Sequence, residues 1–159
     1  MLLYELTDAF QKAKLKYAIV GGYALALHGI VRATMDVDFV LQLKKTDFEL
    51  AERVLGELGL TSRLPVSAKE VILMREEYIR NRNLIAWSFI DYKNPTRQVD
   101  ILITFDLKDL DTQEMKLNGK KLTVVTLRQL LKMKTQSARP QDLVDIKSIQ
   151  EKLDEKNEA

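Results

Sequence analysis

The chain has 159 residues, 46% of them hydrophobic, enough for one domain with a core of its own and too few for two ordinary ones. Its 25 basic and 23 acidic residues leave a net charge of +2, so no global basic field announces a nucleic-acid partner. The absence of cysteine excludes disulfides, thiolate zinc sites and cysteine nucleophiles, and the lone His28 excludes a histidine metal cluster.

Leu2, Leu3, Leu6, Phe10 and Ala13 recur at helical spacing and predict an amphipathic helix over residues 2 to about 15. Glu5 and Asp8 lie inside that pattern, which argues against a signal peptide. Tyr17 to Val20 reads as a short buried strand, broken by Gly21-Gly22, after which Tyr23 to Leu27 resumes as a small-residue helix. The longest apolar stretch, Tyr17 to Val31, is interrupted by Gly21, Gly22, His28 and Gly29 and falls short of the ~18 apolar residues of a spanning helix. A cytoplasmic protein with no membrane segment is expected.

Asp36 to Leu43 reads as the second strand. Thr46 with Glu49 predicts a capping box opening a helix to about Leu58, ended by Gly59, and Ser67 with Glu70 predicts another opening a helix to about Arg80. Leu84 to Tyr92 and Gln98 to Phe105 form a strand pair around the turn-rich Lys93-Asn94-Pro95-Thr96. Asn118-Gly119, between Glu114 to Leu117 and Lys121 to Val125, is the strongest short hairpin signal. Thr126 caps a helix from Leu127 to about Gln136. Pro140 suits the first turn of the last helix, with Leu143, Ile146, Ile149 and Leu153 on one apolar face and a charged tail from Asp154 expected to fray.

The chemistry concentrates in Arg32-Ala33-Thr34-Met35-Asp36-Val37-Asp38. A strand sends residues i and i+2 to one face, so Asp36 and Asp38 aim at a common site while Val37, Phe39 and Leu41 form the opposite apolar face. Two carboxylates there need a cation. Asp100 interrupts the apolar run Val99-Asp100-Ile101-Leu102-Ile103; alone it fits a solvent-facing position, but with Asp36 and Asp38 it completes a three-carboxylate set. Such a set suits two divalent ions clamping the attacking and leaving oxygens of a phosphoryl displacement. Gly21-Gly22 lacks Cβ atoms and lets backbone N–H groups approach a polyphosphate, although many strand-to-helix turns carry glycine for steric reasons alone.

Gly21-Gly22-Tyr23-Ala24, His28-Gly29, Arg32-x-Thr34-x-Asp36-x-Asp38 and the later Asp100 resemble the nucleotidyltransferase superfamily of DNA polymerase β and kanamycin nucleotidyltransferase. Leu130-Leu131-Lys132-Met133-Lys134 and Arg139-Pro140-Gln141-Asp142-Leu143-Val144-Asp145-Ile146 are similar to a late segment of a narrower group. That group holds the minimal bacterial and archaeal nucleotidyltransferases and the nucleotidyltransferase toxins of abortive-infection systems. The resemblance implies an α+β fold, a mixed sheet flanked by helices, over a single domain of residues 1–159 with C-terminal helices at 127–153. It implies transfer of a nucleoside monophosphate from a nucleoside triphosphate to an acceptor hydroxyl, on a small molecule, a protein or RNA, with pyrophosphate leaving.

In that reading Asp36, Asp38 and Asp100 are catalytic and bind two Mg²⁺ or Mn²⁺ ions. Gly21, Gly22, Arg32, Thr34 and Lys134 bind the nucleotide. Taken from the residues alone, Arg32 is equally a surface residue and Lys134 a solvated helix residue. Larger superfamily members follow the glycine with serine where this chain has Gly22-Tyr23, and Tyr23 is expected to pack rather than stack on a base. His28 is expected to cap or hydrogen-bond locally, and Arg139, Asp142 and Asp145 to form an ion-pair lock joining the last two helices. The alternative function is a non-catalytic antitoxin, partner subunit or nucleotide-binding regulator of the same fold. A protein partner or a homodimer is compatible with either.

Overall fold

Leu3, Leu6 and Phe10 sit three and four residues apart, and in the computed structural model, which describes residues 1–158, all three are fully buried on one side of helix α1 (Leu2–Lys12). Strand β1 (Ala18–Val20) is buried at every position and runs straight into helix α2 (Gly21–Leu27), which starts at the glycine pair itself. Strand β2 (Val37–Val40) is shorter than the pattern predicts, with buried Leu41 continuing beyond it. Helix α3 (Lys45–Glu57) follows, then a two-residue strand β3 (Thr61–Ser62), helices α4 (Ala68–Leu73) and α5 (Arg75–Arg82), and the hairpin β4 (Ala86–Ile90) and β5 (Gln98–Leu102). A 3₁₀ turn (Leu107–Asp109) leads to the hairpin β6 (Thr112–Leu117) and β7 (Lys120–Val125), then helices α6 (Leu127–Ser137) and α7 (Pro140–Glu158).

Among the described residues seven strands make one mixed sheet in the order β3-β4-β5-β2-β1-β7-β6. The fold is α+β, as expected. β2 lies antiparallel to β1 and parallel to β5, and β1 lies parallel to β7. The buried side chains form one continuous cluster running from Phe48, Trp87 and Phe89 through the sheet centre to Leu130, Met133 and Ile149. Asn118 and Gly119 both take positive φ, 50° and 77°, as a two-residue hairpin turn requires.

Several predicted boundaries are corrected by tertiary contacts. The Thr46–Glu49 capping box does not form: α3 begins at Lys45 with Lys44 as a cap lacking any side-chain bond, so Thr46 is already inside the helix. The Ser67 cap does form, its Oγ accepting from the Glu70 N–H at 3.3 Å, but the helix it opens breaks at Met74. Leu143 is 60% exposed and leaves the expected apolar face of α7, because Asp142 and Asp145 occupy the buried side of that first turn. The charged tail is helical through Glu158 rather than frayed.

Candidate functional site

Parallel pairing of β2 with β5 sets Asp38 directly beside Asp100. Cross-strand partners share a face and lie about 4.8 Å apart across the ladder, so the two carboxylates leave the sheet together. Asp36 precedes β2 by one residue and adds its charge to the same place. Burial, then the charges of Asp100 and Asp36, push the Asp38 carboxyl up to about 7, with Lys134 partly opposing. Asp36 is raised by burial and by Asp100, and Arg63 opposes the shift. The like charge crowded around Asp38 is what a cation would neutralise.

Val20, at the end of β1, pairs with Asp38, so the turn into α2 lies against that carboxylate. Gly21 has φ of +67°, and a Cβ there would collide with the Asp38 carboxylate. A Cβ on Gly22 would meet the Thr34 side chain at 2.7 Å. The steric explanation of this glycine pair is met in full: the backbone is bare because Asp38 and Thr34 press against it. Thr34 Oγ1 donates to the Asp36 carbonyl at 3.2 Å, which fixes the approach to β2.

A cleft of about 820 Å³ opens over these residues. Gly21, Gly22, Arg32, Thr34, Asp36, Asp38, Asp100 and Lys134 all line it, so the residues expected to hold metal or nucleotide lie around one cleft. Their charges are already partnered in part. Arg32 pairs with Asp145, and Lys134 pairs with Asp145 at 3.1 Å and with Asp142 at 3.3 Å. Asp142 is fully buried, which alone would raise its pKa; bonds from Ser137 Oγ, the Arg139 side chain and the Arg139 N–H, with Lys134 nearby, instead hold it well below the usual carboxylate range. The expected lock forms in part: Asp142 and Asp145 of α7 are joined to α6 through Lys134, while Arg139 pairs only with Asp142, three residues on. It reaches further than the two helices, because Arg32 ties the loop before β2 to α7.

His28 closes α2 at its C-cap but bonds the Val125 carbonyl at 2.8 Å, a distant rather than local partner, and burial lowers its pKa. Tyr23 packs against the core as expected. Sequence reading missed Arg63, which follows the two-residue β3 and reaches the field of Asp36, and Ser88, which sits opposite Asp100 on β4. Ile85, Met35 and Phe105, which supply apolar wall, were missed too. Met35 comes with the Arg32-to-Asp38 stretch itself, whereas Arg63, Ser88, Ile85 and Phe105 carry no local mark of the site.

No family model matches the chain, and no curated protein matches its sequence. In structure it is similar to the antibiotic-resistance factor ANT(2″)-Ia, with a TM-score of 0.63 at 12% identity over 93% of this chain and 80% of that one. It is also similar to the lincosamide antibiotic adenylyltransferase LnuA, solved with lincomycin bound, with a TM-score of 0.62 at 14% identity over 94% of each chain. The fold is that of the nucleotidyltransferases. A nucleotidyltransferase-like protein from Paracoccidioides brasiliensis gives a TM-score of 0.56 at 19% identity, over 93% of this chain and 74% of that one. With so few identical residues, what this chain shares with these proteins is the nucleotidyltransferase fold. No helix among the described residues is long and apolar enough to cross a membrane.

Proposed function

We propose that this protein is a metal-dependent nucleotidyltransferase, moving a nucleoside monophosphate from a nucleoside triphosphate to an acceptor hydroxyl. The observation that carries the proposal is the Asp38–Asp100 contact, reinforced by Asp36 and placed against the bare backbone of Gly21-Gly22. Among the described residues no three acidic or histidine side chains already close on one point as a metal cage. The donor set nevertheless fits divalent ions. All three side chains offer hard oxygens, and the Asp38 carboxyl is held at about 7 by burial and by like charge that a cation would neutralise. Asp36, Asp38 and Asp100 would hold Mg²⁺ or Mn²⁺, which when bound supplies charge neutralisation for the triphosphate and a lowered pKa for the acceptor hydroxyl.

In the reaction the acceptor oxygen bonds to the α-phosphorus, the bond from that phosphorus to the α,β-bridging oxygen breaks, and pyrophosphate leaves. Backbone N–H groups of Gly21 and Gly22 approach the triphosphate, and the Thr34 hydroxyl lies beside them. Arg32, a planar fork, and Lys134, a point charge, meet the β- and γ-phosphates by exchanging a carboxylate partner for phosphate. The acceptor is proposed to be a small molecule, in keeping with the lincomycin carried by LnuA, and the protein to act in the cytoplasm, where nucleoside triphosphates are made.

The occupied state of Arg32 and Lys134 favours one second reading, a regulator or antitoxin that keeps the nucleotidyltransferase fold without turnover. One experiment separates the two. Protein is incubated with each α-labelled nucleoside triphosphate, Mg²⁺ or Mn²⁺ and cell extract, beside Asp38→Asn. Labelled acceptor that falls by about 10³-fold or more in Asp38→Asn is the expected result. Equal labelling by both proteins, or none by either, rejects transfer.

A further inference from the structure

A second concavity, of about 590 Å³, lies at the opposite end of the sheet, where β1 begins and β2 ends. Tyr17 precedes β1 and Gly21 follows it, so about 13 Å of extended chain separates this groove from the carboxylates. Its lining is chemically one-sided. Lys14 and Lys16 come from the turn after α1, Lys108 from the 3₁₀ turn and Lys121 from β7, against the single carboxylate of Glu114. Lys108 lies 3.8 Å from Asp106; among the described residues Lys14, Lys16 and Lys121 have no ion-pair partner. Four lysines less the one carboxylate of Glu114 give the groove a net charge of +3, more than the +2 of the whole chain. Like charges gathered from three separate segments repel one another unless an anion lies between them.

The floor is built and polar. Tyr17 is only 4% exposed, and its ring is fixed by Phe10 and by an edge contact with Phe39 at 5.6 Å. Gln11 Nε2 donates to the Tyr17 oxygen at 2.8 Å and to the Lys121 carbonyl at 2.7 Å. The hydroxyl accepts from Gln11 and keeps its O–H to donate, and among the described residues no group takes its proton. Burial raises the Tyr17 pKa, which keeps the proton on. Lys14 occupies a left-handed conformation, φ 59°, in the chain reversal after α1, so the backbone that presents these lysines is itself constrained.

We infer that this groove is an anion-binding site, separate from the carboxylate cleft, for a small multiply charged phosphate ligand such as pyrophosphate or a nucleoside polyphosphate. Lysines supply the charge, and the Tyr17 O–H supplies a fixed donor at the floor. A volume of about 590 Å³ suits a ligand of that size, and an open groove floored by Tyr17 lets exposed lysines reach such an anion from several sides.

The test is an amide NMR titration of the full chain with sodium pyrophosphate in EDTA, so that the carboxylate cleft holds no metal. Saturable shifts of the Lys16, Tyr17, Lys121 and Thr123 amides are expected. Affinity measured from them should weaken at least tenfold in the double variant Lys16→Glu, Lys121→Glu. Tyr17→Phe keeps the ring and the charge and should weaken binding several-fold through the lost donor alone. Shifts confined to Gly21, Gly22 and Arg32 would overturn the inference, as would shifts reproduced by sodium chloride at equal ionic strength. Unchanged affinity in both variants with an otherwise native spectrum overturns it as well.

Discussion

Asp38 is where the stability and the proposed chemistry of the protein conflict. Its folded pKa of about 7 lies above the ~3.9 of an unfolded aspartate, so between those values the native state binds the extra proton. Stability is therefore highest on the acid side of that window and falls as pH rises towards 7. Asp38→Asn removes the titration, so in EDTA at pH 8 the variant should be more stable than the wild type by roughly 2 kcal/mol, with the difference shrinking at pH 5. Urea unfolding at the two pH values measures this. Added Mg²⁺ should then raise the wild-type midpoint and leave the variant nearly unchanged. A wild type indifferent to Mg²⁺ would remove the metal role from these carboxylates. Gly21 is the complementary constraint: Gly21→Ala places a methyl against the Asp38 carboxylate at φ +67°, and a loss of about 2 kcal/mol or more in urea unfolding is expected. The carboxylate pair was legible because strand geometry has a strict period of two, and Asp100 because a charge inside an apolar run is conspicuous. Arg63 and Ser88 were not, since neither interrupts a pattern; strand pairing alone carries them to the site.

Among the elements, the helix pair α6 and α7 has the most specific polar junction. Thr126 caps α6 by accepting from the Gln129 N–H at 3.1 Å, as its position before an apolar run predicts. Ser67 caps α4 for the same reason, yet Thr46 caps nothing, because the turn before α3 brings the chain into helical geometry one residue earlier. A capping box is a local signal that a neighbouring turn overrides. The break at Met74 was equally invisible: α5 has no buried residues, so no apolar periodicity marks where α4 stops and α5 starts. Asp142 shows how a buried charge replaces the missing apolar contact in the first turn of α7. Its carboxylate gathers Ser137, Arg139 and Lys134, and Asp142→Asn should cost about 3 kcal/mol at pH 7. The sign of its pH dependence is opposite to that of Asp38. A depressed folded pKa contributes stability above the unfolded value of ~3.9, and that contribution is lost as pH falls below it. The gap between wild type and Asp142→Asn should therefore be widest near neutrality and narrow below about pH 4, read from urea midpoints across that range.

At the scale of the whole molecule, Asp38 and Asp100 sit on β2 and β5 at the middle of the sheet, with Asp36 one residue before β2, strands on both sides and core beneath. Central strands are the part of a sheet least free to move, which suits a site that must hold several oxygens in register. Trp87 lies towards the far side of this core, fully buried, its ring stacked on Phe48 at 5.7 Å and meeting Phe89 edge-on at 4.6 Å. Leu130, Met133 and Ile149 of the C-terminal helices belong to the same buried cluster. If residues 1–159 form the single domain proposed from length, the two ends unfold together. Tryptophan fluorescence, which reports only Trp87, and far-UV circular dichroism, to which α6 and α7 contribute heavily, should then give coincident urea transitions with one midpoint and one slope. The Lys134–Asp145–Arg32 junction makes this a demanding expectation, because it couples α6 and α7 to the loop that enters β2. An earlier circular dichroism transition that leaves Trp87 fluorescence native would mean the C-terminal helices melt alone. The polar junction would then be a hinge beside the cleft rather than part of one cooperative unit.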